Sequence, residues 1–145
     1  MNDAEQRVVK KGDSIELEIE SLAFGGKGVA KVDGLAIFVE RTIPGQKVLA
    51  RIVKKKKSFA EAYPLEYLKK APNEIEAKCA AFGTCGGCRL QNLEYDDQLQ
   101  EKTRQVRDLV QRVGGFADFD VPTALPSPSA FHYRNKMEFT FTPSP

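Results

Sequence analysis

Three cysteines in close succession are the residues of this sequence that most directly indicate chemistry. They follow the spacing Cys79-x5-Cys85-Gly86-Gly87-Cys88. The two glycines allow a tight backbone turn, so the sulfurs of Cys85 and Cys88 can face one centre. Three thiolates in one segment suit an iron–sulfur cluster or zinc. Cysteines that bind no metal are the alternative, and a disulfide is disfavoured in a reducing compartment.

The ligand set is incomplete for either metal. Zinc commonly takes paired Cys-x2-Cys motifs or added histidine, and the single histidine, His132, is distant in sequence. We therefore favour an iron–sulfur cluster, which normally has four protein ligands. The fourth ligand would be His132, a non-protein group, or a residue outside this sequence.

A second group of residues combines basic side chains with aromatic rings. Lysine and arginine neutralise phosphates, and aromatic rings offer bases a stacking surface. The alternative is a solvated lysine turn beside two core phenylalanines. The nucleic-acid-binding candidates in the first half are Phe24, Lys27, Lys31, Arg51, Lys54, Lys55, Lys56, Lys57 and Phe59.

Two further motifs are weaker. In His132-Tyr133-Arg134-Asn135-Lys136, the candidates to bind a phosphate or a base edge are Arg134, Asn135 and Lys136. Taken alone, this segment is better explained as the charged start of a strand. The run Gly25-Gly26-Lys27-Gly28 lacks the other residues of a phosphate-binding loop. We predict that it is a bulge that bends the chain.

Strands must position the basic residues, because apolar and polar residues alternate through the first half. Ile15, Leu17 and Ile19 alternate with glutamates, which predicts a half-buried strand. Asp33-Gly34 separates two apolar runs and predicts a hairpin. The further strands are predicted at 29–32, 35–39, 48–53 and 59–67, with Pro64 indicating an edge position for the last. The sequence therefore predicts an OB-like five-stranded antiparallel barrel.

The second half predicts a different organisation, starting from a boundary near residues 69–73, where charge and proline interrupt the pattern. The cysteine segment reads as a loop. A helical apolar face then runs from Tyr95 to a stop at Gly114-Gly115. Alternation at Met137, Phe139 and Phe141 predicts a final strand whose apolar face is left for a partner or further chain to cover. The predicted class is mainly β followed by α+β, in two domains, 1–70 and 71–145.

Composition limits the function classes. The chain has 145 residues, a net charge of +2 and 41% hydrophobic residues, enough for a core but not for a large cofactor-dependent enzyme. No apolar run is long enough to span a membrane, and the start lacks a secretory signal. The odd cysteine count fits a reducing compartment. We therefore expect a monomeric cytoplasmic protein.

The order of these features resembles the N-terminal part of the RNA (uracil-5-)-methyltransferase family. It is most similar to the bacterial 23S ribosomal RNA enzymes that carry a TRAM domain and a [4Fe-4S] cluster. The cysteine motif carries the resemblance together with Leu90-Gln91, Tyr95-x2-Gln98-Leu99-x2-Lys102 and Tyr133-Arg134-Asn135-Lys136-Met137-Glu138-Phe139. The resemblance spans nearly the whole chain, and the cysteine motif with its Leu-Gln tail is its most specific part.

The resemblance implies roles for both halves. A TRAM barrel within residues 1–70 would bind RNA, with 23S ribosomal RNA as the partner. Cys79, Cys85 and Cys88 would be three of the four cluster ligands. The fourth ligand, the S-adenosylmethionine pocket and the catalytic residues would lie further along, so we assign no catalytic residue and expect the chain alone to be inactive. The alternatives are a free-standing TRAM-type RNA-binding protein and a zinc-stabilised interaction module.

Overall fold

The computed structural model describes residues 9–133, 135 and 136, and within them six strands precede one helix. The strands are β1 (Ser14–Glu18), β2 (Ser21–Leu22), β3 (Gly28–Val32), β4 (Leu35–Val39), β5 (Lys47–Lys55) and β6 (Phe59–Lys69). The helix α1 (Tyr95–Asp108) continues as a π-helical turn over Leu109–Val113. The predicted final strand falls outside the described residues.

The strands form one sheet in the order β1-β5-β6-β4-β3-β2. The ladder is open, but its two edge strands are consecutive in the chain and are separated only by Ile19 and Glu20. The N–H of Ile19 donates to Gln46 O at 2.9 Å, and that of Glu20 donates to Val29 O at 2.8 Å. The chain therefore passes directly from one edge of the sheet to the other, which gives the sheet a barrel-like form.

The sheet differs from the sequence prediction in three details. It has six strands rather than five, because β2 is only two residues long and too short to show a period. The pairs are antiparallel except β4 and β6, which are parallel. The edge position predicted from Pro64 is wrong, since β6 lies between β5 and β4. Pro64 is opposite Ala50 beside a register shift, and an irregularity of this kind tolerates the missing N–H.

The core of the sheet follows the period of two. Inward residues on every long strand are buried while their neighbours face solvent. Alanines occupy several central inward positions. The fully or nearly buried set is Val9, Ile15, Leu17, Ile19, Ala30, Ile37, Val39, Val48, Ala50, Ile52, Ala60 and Ala62. This burial leaves the outer face of the same strands available for charged and aromatic side chains.

Glycines are required at both ends of β3, in a turn at one end and at a close approach at the other. Asp33 and Gly34 both have positive φ, 48° and 79°, between the paired residues Val32 and Leu35. This is the type I′ geometry that Asp-Gly favours, so the predicted hairpin is confirmed. At the other end of β3, a Cβ on Gly28 would lie 2.1 Å from Thr42 Oγ1 and 2.7 Å from Ile19 Cγ2. The chain can approach this closely only at glycine.

The helix predicted after Tyr95 is confirmed, and it lies against the sheet through few residues. Of α1, only Leu99 and Thr103 are buried. A second apolar cluster of Leu22, Ile43, Ala71 and Leu93, with Leu90 beside it, joins the sheet to the segment before the helix. In the described part of the chain, no helix is long and apolar enough to cross a membrane.

Candidate nucleic-acid interface and cysteine loop

The outer face of the sheet brings together four of the predicted nucleic-acid-binding residues. Lys31 on β3 and Phe59 on β6 are both opposite Ala36 of β4. Arg51 on β5 is directly opposite Tyr63 on β6. Lys54 is opposite Glu61 in the same pair of strands. We define the outer sheet face by Lys31, Arg51, Lys54, Phe59 and Tyr63.

Two cations of this face, Lys54 and Lys31, already have partners within the protein. Lys54 pairs with Glu61 at 3.1 Å, and its ammonium lies 5.9 Å from the centre of the Phe59 ring. Phe59 is half-buried and meets Phe38 edge to face, with ring centres 5.8 Å apart. Lys31 is 3.8 Å from Glu20. Such exposed ion pairs contribute about 0–1 kcal/mol, so a phosphate can compete for these cations.

The lysine run occupies the end of β5 and the turn that leads to β6. We call Lys54–Lys57 the lysine hairpin. The N–H of Lys56 donates to Phe59 O at 2.8 Å and closes the turn. Lys55 Nζ donates to the carbonyl of Lys56 at 2.5 Å. All four lysine side chains are exposed. The hairpin thus concentrates positive charge at one end of the outer sheet face.

The other predicted residues lie elsewhere. Phe24 is 78% exposed in the turn before β3. Lys27 pairs with Glu40 at 2.8 Å, and Arg89 reaches the other oxygen of the same carboxylate at 3.5 Å. Asn135 and Lys136 are exposed, and Arg134 is outside the described residues. The structure therefore gathers Lys31, Arg51, Phe59 and the lysine hairpin but leaves Phe24 and Lys27 at a second location.

Two tyrosines that the sequence analysis did not single out, Tyr63 and Tyr67, lie beside the basic residue Arg41 near the end of β6. The Arg41 guanidinium is 5.4 Å from the centre of the Tyr63 ring. The Tyr67 hydroxyl donates to Arg41 O at 2.8 Å, and burial raises the pKa of Tyr67 above its ordinary value. Arg41 has a positive φ of 55°. Two exposed tyrosines four residues apart on one predicted strand are the signal that would have found this group.

The cysteines lie on a loop that is closed at its base. Ile75 N–H donates to Asn92 O at 2.9 Å, and Glu74 forms a β-bridge with Leu93. The side chain of Gln98 in α1 donates to the carbonyls of Leu90 and Leu93, at 2.9 and 2.8 Å. We call residues 76–91 the cysteine loop. Its ends are anchored to the apolar cluster and to the helix.

Turns position the cysteines inside this loop. Phe82 N–H donates to Cys79 O at 3.0 Å, and Cys85 N–H donates to Ala81 O at 2.8 Å. Gly87 N–H points at Cys85 Sγ at 3.4 Å. Cys79, Cys85 and Cys88 are all exposed free thiols. Between residues 9 and 136, Arg134 aside, no three His, Cys, Asp or Glu side chains are placed to hold a metal ion.

The thiols therefore have the chemistry of metal ligands without the convergent placement. The donor types are those that iron and zinc prefer, but the three sulfurs are not gathered around one point in the part of the chain that the structure describes. No disulfide links the three cysteines.

Comparisons with known proteins give a match to the first part of the chain, where residues 8–65 are similar to the TRAM domain family. TRAM domains are barrel-like OB folds, so the predicted fold class is confirmed, with an open sheet.

The similarity to known proteins also extends beyond residue 65. The chain is 45% identical over 133 residues to an uncharacterized RNA methyltransferase of Clostridium tetani, covering 92% of this chain and 29% of that protein. A similar protein of Halalkalibacterium halodurans is 39% identical over 134 residues, with the same two coverages. The predicted resemblance to RNA methyltransferases is confirmed, and the chain spans about 29% of the length of these relatives.

Two solved structures are also similar. One is a conserved protein of Methanococcus maripaludis, 27% identical, which covers 46% of this chain and all of its own, with a TM-score of 0.39. The other is the tRNA (uracil-54, C5)-methyltransferase of Pyrococcus abyssi in complex with S-adenosyl-L-homocysteine. It is 24% identical and covers 66% of this chain and 21% of its own, with a TM-score of 0.44.

The residues that match the TRAM domain family include every candidate of the first half and the lysine hairpin. The match ends at residue 65, inside β6, although β6 continues to Lys69 in the same sheet. Tyr63 lies within the matched residues, Tyr67 lies just beyond them, and the cysteine loop follows.

Proposed function

We propose that this chain is the RNA-binding part of an S-adenosylmethionine-dependent 23S ribosomal RNA (uracil-C5)-methyltransferase. The similarity to RNA methyltransferases over 92% of the chain carries this proposal, together with the TRAM domain at residues 8–65. The lysine hairpin and Arg51 support it, because their exposed cations suit RNA phosphates. The protein would act as a monomer in the cytoplasm.

We also propose that Cys79, Cys85 and Cys88 are three of the four protein ligands of a [4Fe-4S] cluster. Their exposure and freedom from disulfides support this role. The N–H of Gly87 near Cys85 Sγ is a further support, because hydrogen bonds to sulfur tune such clusters. Ligation requires the turns of the cysteine loop to rearrange, while its base at Ile75 and Asn92 keeps both ends in place.

Binding and methyl transfer test the RNA proposal separately. The purified chain is titrated into labelled 23S ribosomal RNA fragments at several salt concentrations, and we expect affinity to fall steeply as salt rises. A longer protein that carries this segment is then incubated with labelled S-adenosylmethionine and ribosomal or transfer RNA. We expect 5-methyluridine in 23S ribosomal RNA only. Methylation of transfer RNA instead would refute the ribosomal substrate, and salt-independent binding would refute the RNA-binding role.

Metal analysis tests the cysteine proposal. The longer protein is purified without oxygen, and iron, acid-labile sulfide and zinc are measured. Iron and sulfide in equal amounts are expected, and both should be lost in Cys85→Ser but retained in Thr84→Ser. Zinc without sulfide would exclude the cluster and favour the zinc-stabilised module instead.

A further inference from the structure

A cleft of about 1210 Å³ separates the end of β6 from the cysteine loop. Arg41, Tyr63 and Tyr67 lie on the side of the sheet, whereas Phe82, Arg89 and Asn92 lie on the opposite side. Of the residues that define the outer sheet face, only Tyr63 lines the cleft. The cleft therefore meets the outer sheet face at Tyr63 and does not include the lysine hairpin.

We propose that this cleft binds one unstacked nucleobase of the RNA, which packs against Arg41 and Tyr63. The inference rests on the proposed RNA binding and adds to it a site where a base, rather than the phosphate backbone, is held. Aromatic rings and arginine guanidinium planes are the groups on which proteins stack single-stranded bases. Here both kinds of group are present, with 5.4 Å between the guanidinium carbon and the ring centre.

The backbone of Arg41 is held in place for such a role. A positive φ, here 55°, is uncommon for a residue other than glycine and is found disproportionately at binding sites. The hydroxyl of Tyr67 holds the carbonyl of Arg41 at 2.8 Å. The Arg41 side chain itself is exposed. Its guanidinium is thus presented to the cleft on a fixed backbone, which lowers the cost of ordering it when a base binds.

The charges around the cleft favour an uncharged group over a phosphate. Arg41, Lys70 and Arg89 line it together with Glu40, Glu74 and Glu76. Glu40 already binds Lys27 and Arg89, and Glu74 accepts hydrogen bonds from the Gln46 side chain and the Ala71 N–H. Because cations and carboxylates balance, the cleft lacks the excess positive charge that a phosphate site requires.

Asn92 also lines the cleft. Its side-chain oxygen Oδ1 has no hydrogen-bond partner among the described residues, but protein atoms cover it, so it is not counted as an acceptor for the base. The base would therefore be held by stacking on Arg41 and Tyr63.

A fluorescence experiment tests the proposal with a short single-stranded RNA that carries one 2-aminopurine. Stacking quenches this base, so we expect quenching when the chain binds. Tyr63→Ala should weaken binding about 10-fold and remove the quenching, whereas Tyr63→Phe, which keeps the ring, should behave as the parent. Arg41→Lys keeps the charge and removes the flat group, so it should also weaken binding. Thermal unfolding of each variant shows that the fold is retained.

The matched control is the double variant Lys56→Ala/Lys57→Ala. It should reduce the salt dependence of binding and keep the quenching of the bound RNA. If Tyr63→Ala and Arg41→Lys bind and quench as the parent does, while the lysine variant binds more weakly, the base site is refuted and the RNA-binding proposal stands. If the parent chain does not bind the RNA at all, both proposals fail.

Discussion

The carboxylate of Glu101 in α1 accepts a hydrogen bond from the backbone N–H of Leu22, at 3.0 Å. Arg104, one turn later in the helix, donates to the carbonyl of the same Leu22 at 3.0 Å and to Glu101 at 2.6 Å. Leu22 ends the short edge strand β2, so a Glu–Arg pair on the helix bonds both backbone groups of this edge residue. This contact attaches the helix to the edge of the sheet.

Removing Glu101 should destabilise the protein more than removing an exposed charge. Glu101→Ala leaves the Leu22 N–H without its acceptor and removes one of the partners of Arg104, so we expect the free energy of unfolding to fall by about 1–3 kcal/mol. Glu101→Gln keeps an acceptor and should lose less. Urea unfolding measures both. The control Asp108→Asn removes a more exposed partner of Arg104 and should cost about 0.5 kcal/mol. Equal losses for Glu101→Ala and Asp108→Asn would contradict this role.

Gly28 should tolerate no side chain. A Cβ there would overlap Thr42 and Ile19, both of which are buried, so Gly28→Ala should lower the unfolding free energy by about 1–3 kcal/mol or prevent folding. Gly86→Ala is the matched control, because its Cβ would meet nothing within 4 Å. Thermal melting followed by circular dichroism compares the two. A Gly28→Ala protein that melts with the parent would show that β3 and Thr42 are farther apart than described.

Tyr67 should make the free energy of unfolding decrease at alkaline pH. Burial raises its pKa in the folded protein, while the unfolded chain has the ordinary tyrosine value near 10. Above about pH 10 the unfolded state therefore binds fewer protons, so the stability present below that pH is lost as pH rises through the folded pKa. Tyr67→Phe should show a smaller loss in unfolding experiments between about pH 8 and 11. Tyr133→Phe is the control, because Tyr133 is more exposed than Tyr67, 66% against 49%. An equal change in both variants would argue against Tyr67.

The lysine hairpin should account for part of the salt dependence of RNA binding. Each phosphate contact to single-stranded nucleic acid contributes about 0.7 to the slope of log affinity against log salt. Lys56→Ala/Lys57→Ala should therefore flatten the slope by about 1.4. Lys47→Ala is the control, because Lys47 is at the opposite end of β5 and pairs with Glu16 at 2.7 Å. An unchanged slope in the double variant would place the phosphates elsewhere.

Much of the fold is readable from local sequence. Alternation around Ile15 and Leu17 predicts a strand because neighbouring side chains on a strand point to opposite faces. Asp33-Gly34 predicts the hairpin because two successive positive φ values are easiest for these residues. The helix after Tyr95 follows from its apolar spacing. Each of these signals depends on residues within one or two turns of the chain, and each is confirmed.

Long-range pairing escaped the sequence analysis. The parallel pairing of β4 with β6 and the central position of β6 depend on strands that are distant along the chain. Pro64 is compatible with an edge or a bulge, and only the register with Ala50 distinguishes them. The two-residue strand β2 exists because β3 on one side and Glu101 with Arg104 on the other bond its backbone.

By itself, the sequence determined the residue types that can do chemistry: three thiols in one loop and a run of lysines after a strand. Only the tertiary structure decided which side chains from different elements come into contact. It placed Arg41 from a turn over Tyr63 on β6, and it left the three thiols on the loop surface without a common centre. The physical reason is that the number of residues between two positions in the sequence limits only how far apart those two positions can lie. Distances between separate elements depend on how the whole sheet curves and packs.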